Sequence, residues 1–71
     1  MINRLVYFRR FLGLTQEQLA FKSGLSQNTI SSYETGQYSP TLINALKISK
    51  VLGVSVTDLF ELERNDLYEK K

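Results

Sequence analysis

Apolar residues recur along this chain at intervals of three and four, the period of a helix that buries one face. Glycine or proline interrupts the pattern at Gly13, Gly24, Gly36, Pro40 and Gly53. The interruptions leave five short segments, each predicted to be a helix. In the first, Leu5, Phe8 and Leu12 share a face with Ile2 one turn upstream, Arg4 and Arg10 lie off it, and Gly13 ends it. In the fourth, Leu42, Ala45, Leu46, Ser49 and Leu52 follow at helical spacing, with Ser39 expected as N-cap, Pro40 at the first helical position and Gly53 just past the end. The one alternating stretch, residues 54–56, is too short to compete as a strand, so the predicted fold class is all-α.

Three helix entries are written in the same syntax. Leu14, Thr15, Gln18 and Leu19 fit a capping box with a hydrophobic staple, in which Thr15 accepts from the backbone three residues on and Gln18 reaches back. Leu25, Ser26, Thr29 and Ile30 repeat the pattern before the third segment, and Val54, Ser55, Asp58 and Leu59 before the fifth. Thr29 is too short to reach back as Gln18 and Asp58 do, which makes the middle cap the weakest. The spacing between copies is irregular, so they mark helix starts and no repeat architecture.

At 71 residues, 42% hydrophobic and 23% charged, the chain has room for one small core. One globular domain is predicted over 1–61, followed by a charged tail over 62–71, where Leu62, Leu67 and Tyr68 are too sparse to define a buried face. There is no cysteine and no histidine. This disfavours disulfides, metal ligation of the usual kind and proton transfer near neutrality, and no metal, cofactor or catalytic residue is expected. Asp58, Glu61, Glu63 and Asp66 read as a cap and a solvated tail, not as a catalytic or metal-binding set. No charge-free apolar run is long enough for a membrane span and arginines break up the N-terminal apolar residues, so the expected location is cytoplasmic. The net charge of +2 is uneven: residues 1–57 carry six basic against two acidic residues, and residues 58–71 three against five. A partner attracted by positive charge belongs to the first part.

The third segment carries the least ordinary chemistry. At about 100° per residue, Gln27, Asn28, Ser31 and Ser32 share one face, while Ser26, Thr29, Ile30 and Tyr33 share the other. Surface helices usually display Lys and Glu, which propagate a helix better than Ser and Asn. An uncharged amide and hydroxyl face therefore suggests a hydrogen-bonding role. An amide near a helix N-terminus presents a donor and an acceptor together to a base edge, as Asn or Gln does to adenine. Taken alone, the same face is also what a solvated helix side would look like.

The stretch from Leu14 to Gly36, LTQEQLAFKSGLSQNTISSYETG, resembles the helix-turn-helix of the Cro/phage-repressor (XRE-type) transcriptional regulators. Ala20 stands where the two helices touch, Gly24 at the turn, and Ile30 and Tyr33 at the core positions of the recognition helix. The resemblance continues through residues 39–60 and covers about residues 3–60. It implies a compact five-helix, lambda-repressor-like fold with its helix-turn-helix at about 16–34. It further implies a sequence-specific regulator, a repressor by preference, whose helix three (about 26–34) reads the major groove of double-stranded operator DNA as a homodimer. The family's base-reading positions fall on Gln27, Asn28 and Ser32, with Ser31 as a further candidate. Gln16 matches a phosphate-contacting glutamine that also supports the first recognition-helix glutamine. Arg9 and Glu34 match an orienting ion pair whose arginine lies near phosphate. Thr35, Gln37 and Tyr38 match the loop that touches the backbone, although relatives often carry Lys or Arg there and this chain carries none.

Other residues receive plainer readings. Tyr33 is expected in the core, and Phe60 in the core or at an interface. Val56, Phe60, Leu62, Leu67 and Tyr68 are candidates for the dimer contact. Arg10, Lys22, Lys47 and Lys50 are solvated charges by default. Regulation is expected through concentration or a regulatory protein partner, since no small-molecule ligand domain fits in the chain. The rival classes are a protein-interaction module on the same fold and a nucleic-acid enzyme.

Overall fold

The computed structural model of the chain describes residues 1–67. Five helices follow a two-residue strand: β1 (Ile2–Asn3), α1 (Leu5–Phe11), α2 (Gln16–Ser23), α3 (Gln27–Glu34), α4 (Leu42–Leu52) and α5 (Val56–Leu59). A second short strand, β2 (Phe60–Glu61), and a 3-10 turn at Arg64–Leu67 complete the order. Each helix contributes one fully buried aliphatic side chain, Leu5, Leu19, Ile30, Ile48 and Leu59 in turn, and Ala20, Tyr33, Ala45, Leu52 and Phe60 fill the space between them. Burying each of the five removes about 1.5 to 3 kcal/mol worth of apolar surface from water. That shared centre orients helices too short to persist alone.

The helix entries follow from hydroxyl chemistry. The Thr15 and Ser55 side chains accept from the backbone N–H groups of Gln18 and Asp58, which bond back to complete both capping boxes. Ser26 accepts from the Thr29 N–H at 3.1 Å, while the Thr29 hydroxyl meets the Ser26 hydroxyl instead of reaching the backbone. At the end of α2, Gly24 adopts φ +74°, a left-handed conformation that turns the chain into α3 within three residues.

Four expectations need correction. The cap of α4 is Thr41, not Ser39, because the Thr41 hydroxyl accepts from the Asn44 N–H and Pro40 stays outside the helix. Its buried face is Ala45, Ile48 and Leu52, whereas Leu42 and Leu46 are 70% and 52% exposed. Leu12 is the C-cap of α1 and is exposed, since the helix stops at Phe11 before its face can reach that far. A minimal antiparallel ladder also exists, pairing Ile2 with Glu61 and Asn3 with Phe60, at a length no alternation could have announced.

This ladder ties the first residues to the segment that follows α5. The Arg4 N–H donates to the Leu59 carbonyl at 2.7 Å and the Arg4 guanidinium pairs with Glu61. The Met1 amine meets both Glu63 and Asp66 at 2.8 Å. Residues 62–67, expected as a frayed tail, are thus held by ion pairs, and Tyr68 lies outside the described residues. The contacts with Asp66 and Glu63 raise the Met1 amine above its ordinary pKa, and the amine holds the Asp66 carboxyl below the usual carboxylate range.

Candidate nucleic-acid interface

The outer face of α3 is open. Gln27 and Asn28 are exposed and Ser31 and Ser32 half-buried, and none of the four side chains makes a hydrogen bond among the described residues. Their donors and acceptors are therefore free for an outside partner. The opposite face supplies Ile30 and Tyr33 to the core, so packing fixes which way the polar strip points.

Behind the strip lies a charged anchor. Arg9 is only 8% exposed, although it is a cation. Its Nε donates to Glu34 Oε2 at 2.5 Å, its Nη2 to Glu34 Oε1 at 3.1 Å and its Nη1 to the Leu14 carbonyl at 2.8 Å. The paired, bidentate geometry meets the requirement for taking an arginine out of water. Gln16 Nε2 adds a bond to Glu34 Oε1 at 2.9 Å. Glu34 at the end of α3 is thus gripped from both α1 and the start of α2. Two further bonds brace the same helix: Asn3 Nδ2 donates to the Tyr33 carbonyl and Asn44 Nδ2 to the Tyr33 hydroxyl.

The loop after α3 folds back onto it. The Gln37 and Tyr38 N–H groups both donate to the Ser32 carbonyl, and Thr35 Oγ1 donates to the same oxygen at 3.3 Å. Thr35, Gln37 and Tyr38 remain exposed at the rim. An open depression beside the polar strip is lined by Asn28, Thr29, Ser32, Tyr33, Tyr38, Ser39 and Thr41. It offers an aromatic edge and several hydroxyl groups, and no cation.

The site residues named from sequence thus fall into two groups. Gln27, Asn28, Ser31, Ser32, Thr35, Gln37 and Tyr38 gather on one side, around the open strip and its rim. Arg9 sits inside, with Gln16 half-buried against Glu34. The third member that joins the pair of Arg9 and Glu34, Gln16, is not visible in the sequence, because its side chain carries no local signal of its direction. Nor are Ser39 and Thr41 at the rim, which only the folded loop brings beside Asn28. Among the described residues no helix is long and apolar enough to cross a membrane.

Comparison with known proteins agrees with this geometry. The helix-turn-helix family pattern matches residues 7–59. An uncharacterized HTH-type transcriptional regulator of Methanocaldococcus jannaschii is 46% identical over 66 residues, covering 93% of this chain and all of the relative. The cryptic phage CTXphi transcriptional repressor RstR of Vibrio cholerae is 36% identical over 80% of this chain and 51% of its own length. Among solved structures, the restriction-modification controller protein C.AhdI of Aeromonas hydrophila superposes with a TM-score of 0.76 at 40% identity, covering 80% of this chain and 86% of that one. With its five-helix core, its capped helix pair and these relatives, the chain belongs to the helix-turn-helix transcriptional regulators of the Cro/phage-repressor (XRE) type.

Proposed function

We propose that this regulator recognises a specific double-stranded operator by laying α3 in the major groove. The observation that carries the reading is the neutral strip of Gln27, Asn28, Ser31 and Ser32, open to the outside while the helix beneath it is fixed to α1 and α2 through Glu34. Gln27 and Asn28 have the reach and the paired donor and acceptor for base edges, and Ser31 and Ser32 serve as shorter contacts. Gln16, Thr35, Gln37 and Tyr38 position the backbone through neutral donors. Arg9 acts from behind, by holding Glu34, and adds its charge to the phosphate side.

One recognition helix reads too few base pairs for a unique site, so the protein acts as a homodimer on two half-sites about one helical turn apart. Phe60 is 9% exposed and belongs to the core. Val56 and the exposed Leu62 and Leu67 are the remaining candidates for the dimer contact. The domain is residues 1–61, with 62–71 as an appendage. Regulation is by occupancy, a bound dimer excluding polymerase as a repressor, in the cytoplasm. No catalytic step or cofactor enters this reading.

Selection of bound duplexes from a random pool tests it. An enriched two-fold-symmetric site with half-site centres about 10 base pairs apart is the expected result. Failure of any sequence to enrich, with the protein folded, contradicts it.

A further inference from the structure

The outward side of α4 has a composition that the DNA reading leaves unexplained. Projected at 100° per residue, an arc of about 140° opposite Ala45, Ile48 and Leu52 contains Leu42, Leu46, Lys50, Ile43 and Lys47 and nothing else. Leu42, Ile43 and Leu46 are 70%, 65% and 52% exposed. Three large aliphatic side chains grouped on one helix side, with no carboxylate among them, are not what a merely solvated surface carries.

The same face turns cationic toward its C-terminal end. Lys47 and Lys50, with Lys22 from the last turn of α2, ring a concavity of about 360 Å³ whose remaining lining is Ser23 and Val51. Arg4, Arg9 and the Met1 amine are each met by a carboxylate, but none of these three lysines is in an ion pair among the described residues. The concavity shares no lining residue with the depression beside α3. Lys50 lies about 13 to 14 Å along the helix axis from the Thr41 cap, near which α4 meets α3.

We propose that this face is a docking surface for an acidic amphipathic segment of another protein, with aliphatic anchors over Leu42, Ile43 and Leu46 and carboxylates over Lys22, Lys47 and Lys50. Charge complementarity selects this occupant. A DNA backbone satisfies the lysines and leaves the aliphatic side chains facing phosphate. A second copy of this chain covers the aliphatic side chains but brings no acidic run to the lysines: Glu34, Glu61, Glu63 and Asp66 are paired within the fold, and the other acids among the described residues are Glu17 on α2 and Asp58 in the capping box of α5. The surface gives a regulator with a small domain a place where a partner acts on it apart from the DNA-reading face, and the inference stands whether or not α3 reads bases.

The test is a titration of the ¹⁵N-labelled 71-residue chain with a synthetic helical peptide carrying leucines on one side of its first half and glutamates in its second. A scrambled peptide of the same composition and a peptide with lysine in place of glutamate serve as controls. Saturable shifts confined to Lys22 and residues 42–51 are expected, at an affinity weakened at least tenfold by Leu46→Gln and by the pair Lys47→Glu, Lys50→Glu. The lysine peptide regains binding to that charge-reversed pair. Thermal melts verify that these exposed substitutions leave the fold intact, and Leu42→Gln replaces any variant that does not. Absence of saturation, equal binding of the scrambled peptide, or shifts centred on α3 overturns the proposal. So does a dimer that Leu46→Gln dissociates, which assigns the face to a second copy, or a random duplex that perturbs Lys47 and Lys50, which assigns it to DNA.

Discussion

At the scale of single residues, the most consequential side chain is a largely buried cation, Arg9. A guanidinium removed from water is tolerated only when its donors are met, and Arg9 meets the condition through Glu34 and the Leu14 carbonyl. Glu34→Ala strands that cation, with an expected loss of about 3 kcal/mol in urea unfolding. Replacing Arg9 and Glu34 together by Met and Leu is expected to cost clearly less than the sum of the single changes. Additive losses in that cycle contradict the pair as a coupled unit. The pair was legible in the sequence through the family resemblance, since nothing in the spacing of Arg9 and Glu34 brings them together. The bond from Gln16 to Glu34 was not legible, because a glutamine at the start of a helix can point outward or back, and only the packing of α2 against α3 sends it to Glu34.

Among the elements, the legible ones were those whose ends are fixed by local chemistry. Thr15, Ser26 and Ser55 cap as their spacing predicts, and Gly24 turns the chain where expected. A Cβ at Gly24 meets nothing within 4 Å, so Gly24→Ala is expected to cost only the left-handed backbone penalty, about 1 to 2 kcal/mol. A much larger loss in thermal unfolding indicates a clash that the turn geometry excludes. The phase of α4 was misread because Leu42, Leu46 and Ile48 are equally apolar and periodicity alone does not say which stripe meets the core. The ladder of β1 and β2 escaped notice for a different reason, since two residues contain no period. Its neighbouring ion pairs carry a pH signature. The raised Met1 amine contributes below about pH 8 and its contribution is lost as pH rises through its folded value. The lowered Asp66 carboxyl contributes above about pH 4 and its contribution is lost as pH falls through its folded value. Amide shifts of residues 62–67 are expected to stay constant between those limits and to move outside them, and movement centred on neutrality contradicts the assignment.

At the scale of the molecule, five short helices among the described residues hold the polar strip in place around one small core. Truncating Leu19 or Ile48 to alanine is expected to cost about 2 to 5 kcal/mol and to weaken every activity together, because each belongs to the one shared core. The surface charge makes a separate demand on DNA binding. Neither α3 nor the loop over 35–41 contains Lys or Arg, so few condensed ions are released when DNA binds. The slope of log affinity against log salt for a dimer is expected to be shallow, of magnitude below about 4, and a steep slope points to lysines elsewhere doing the binding. Whether α3 discriminates between sequences through Gln27 and Asn28 is read from the ratio of affinities for the selected operator and for a random duplex. Gln27→Ala and Asn28→Ala are each expected to lower that ratio about 5- to 150-fold, equivalent to about 1 to 3 kcal/mol, with random-duplex affinity and thermal midpoint unchanged. An unchanged ratio, or equal losses on both duplexes, contradicts it.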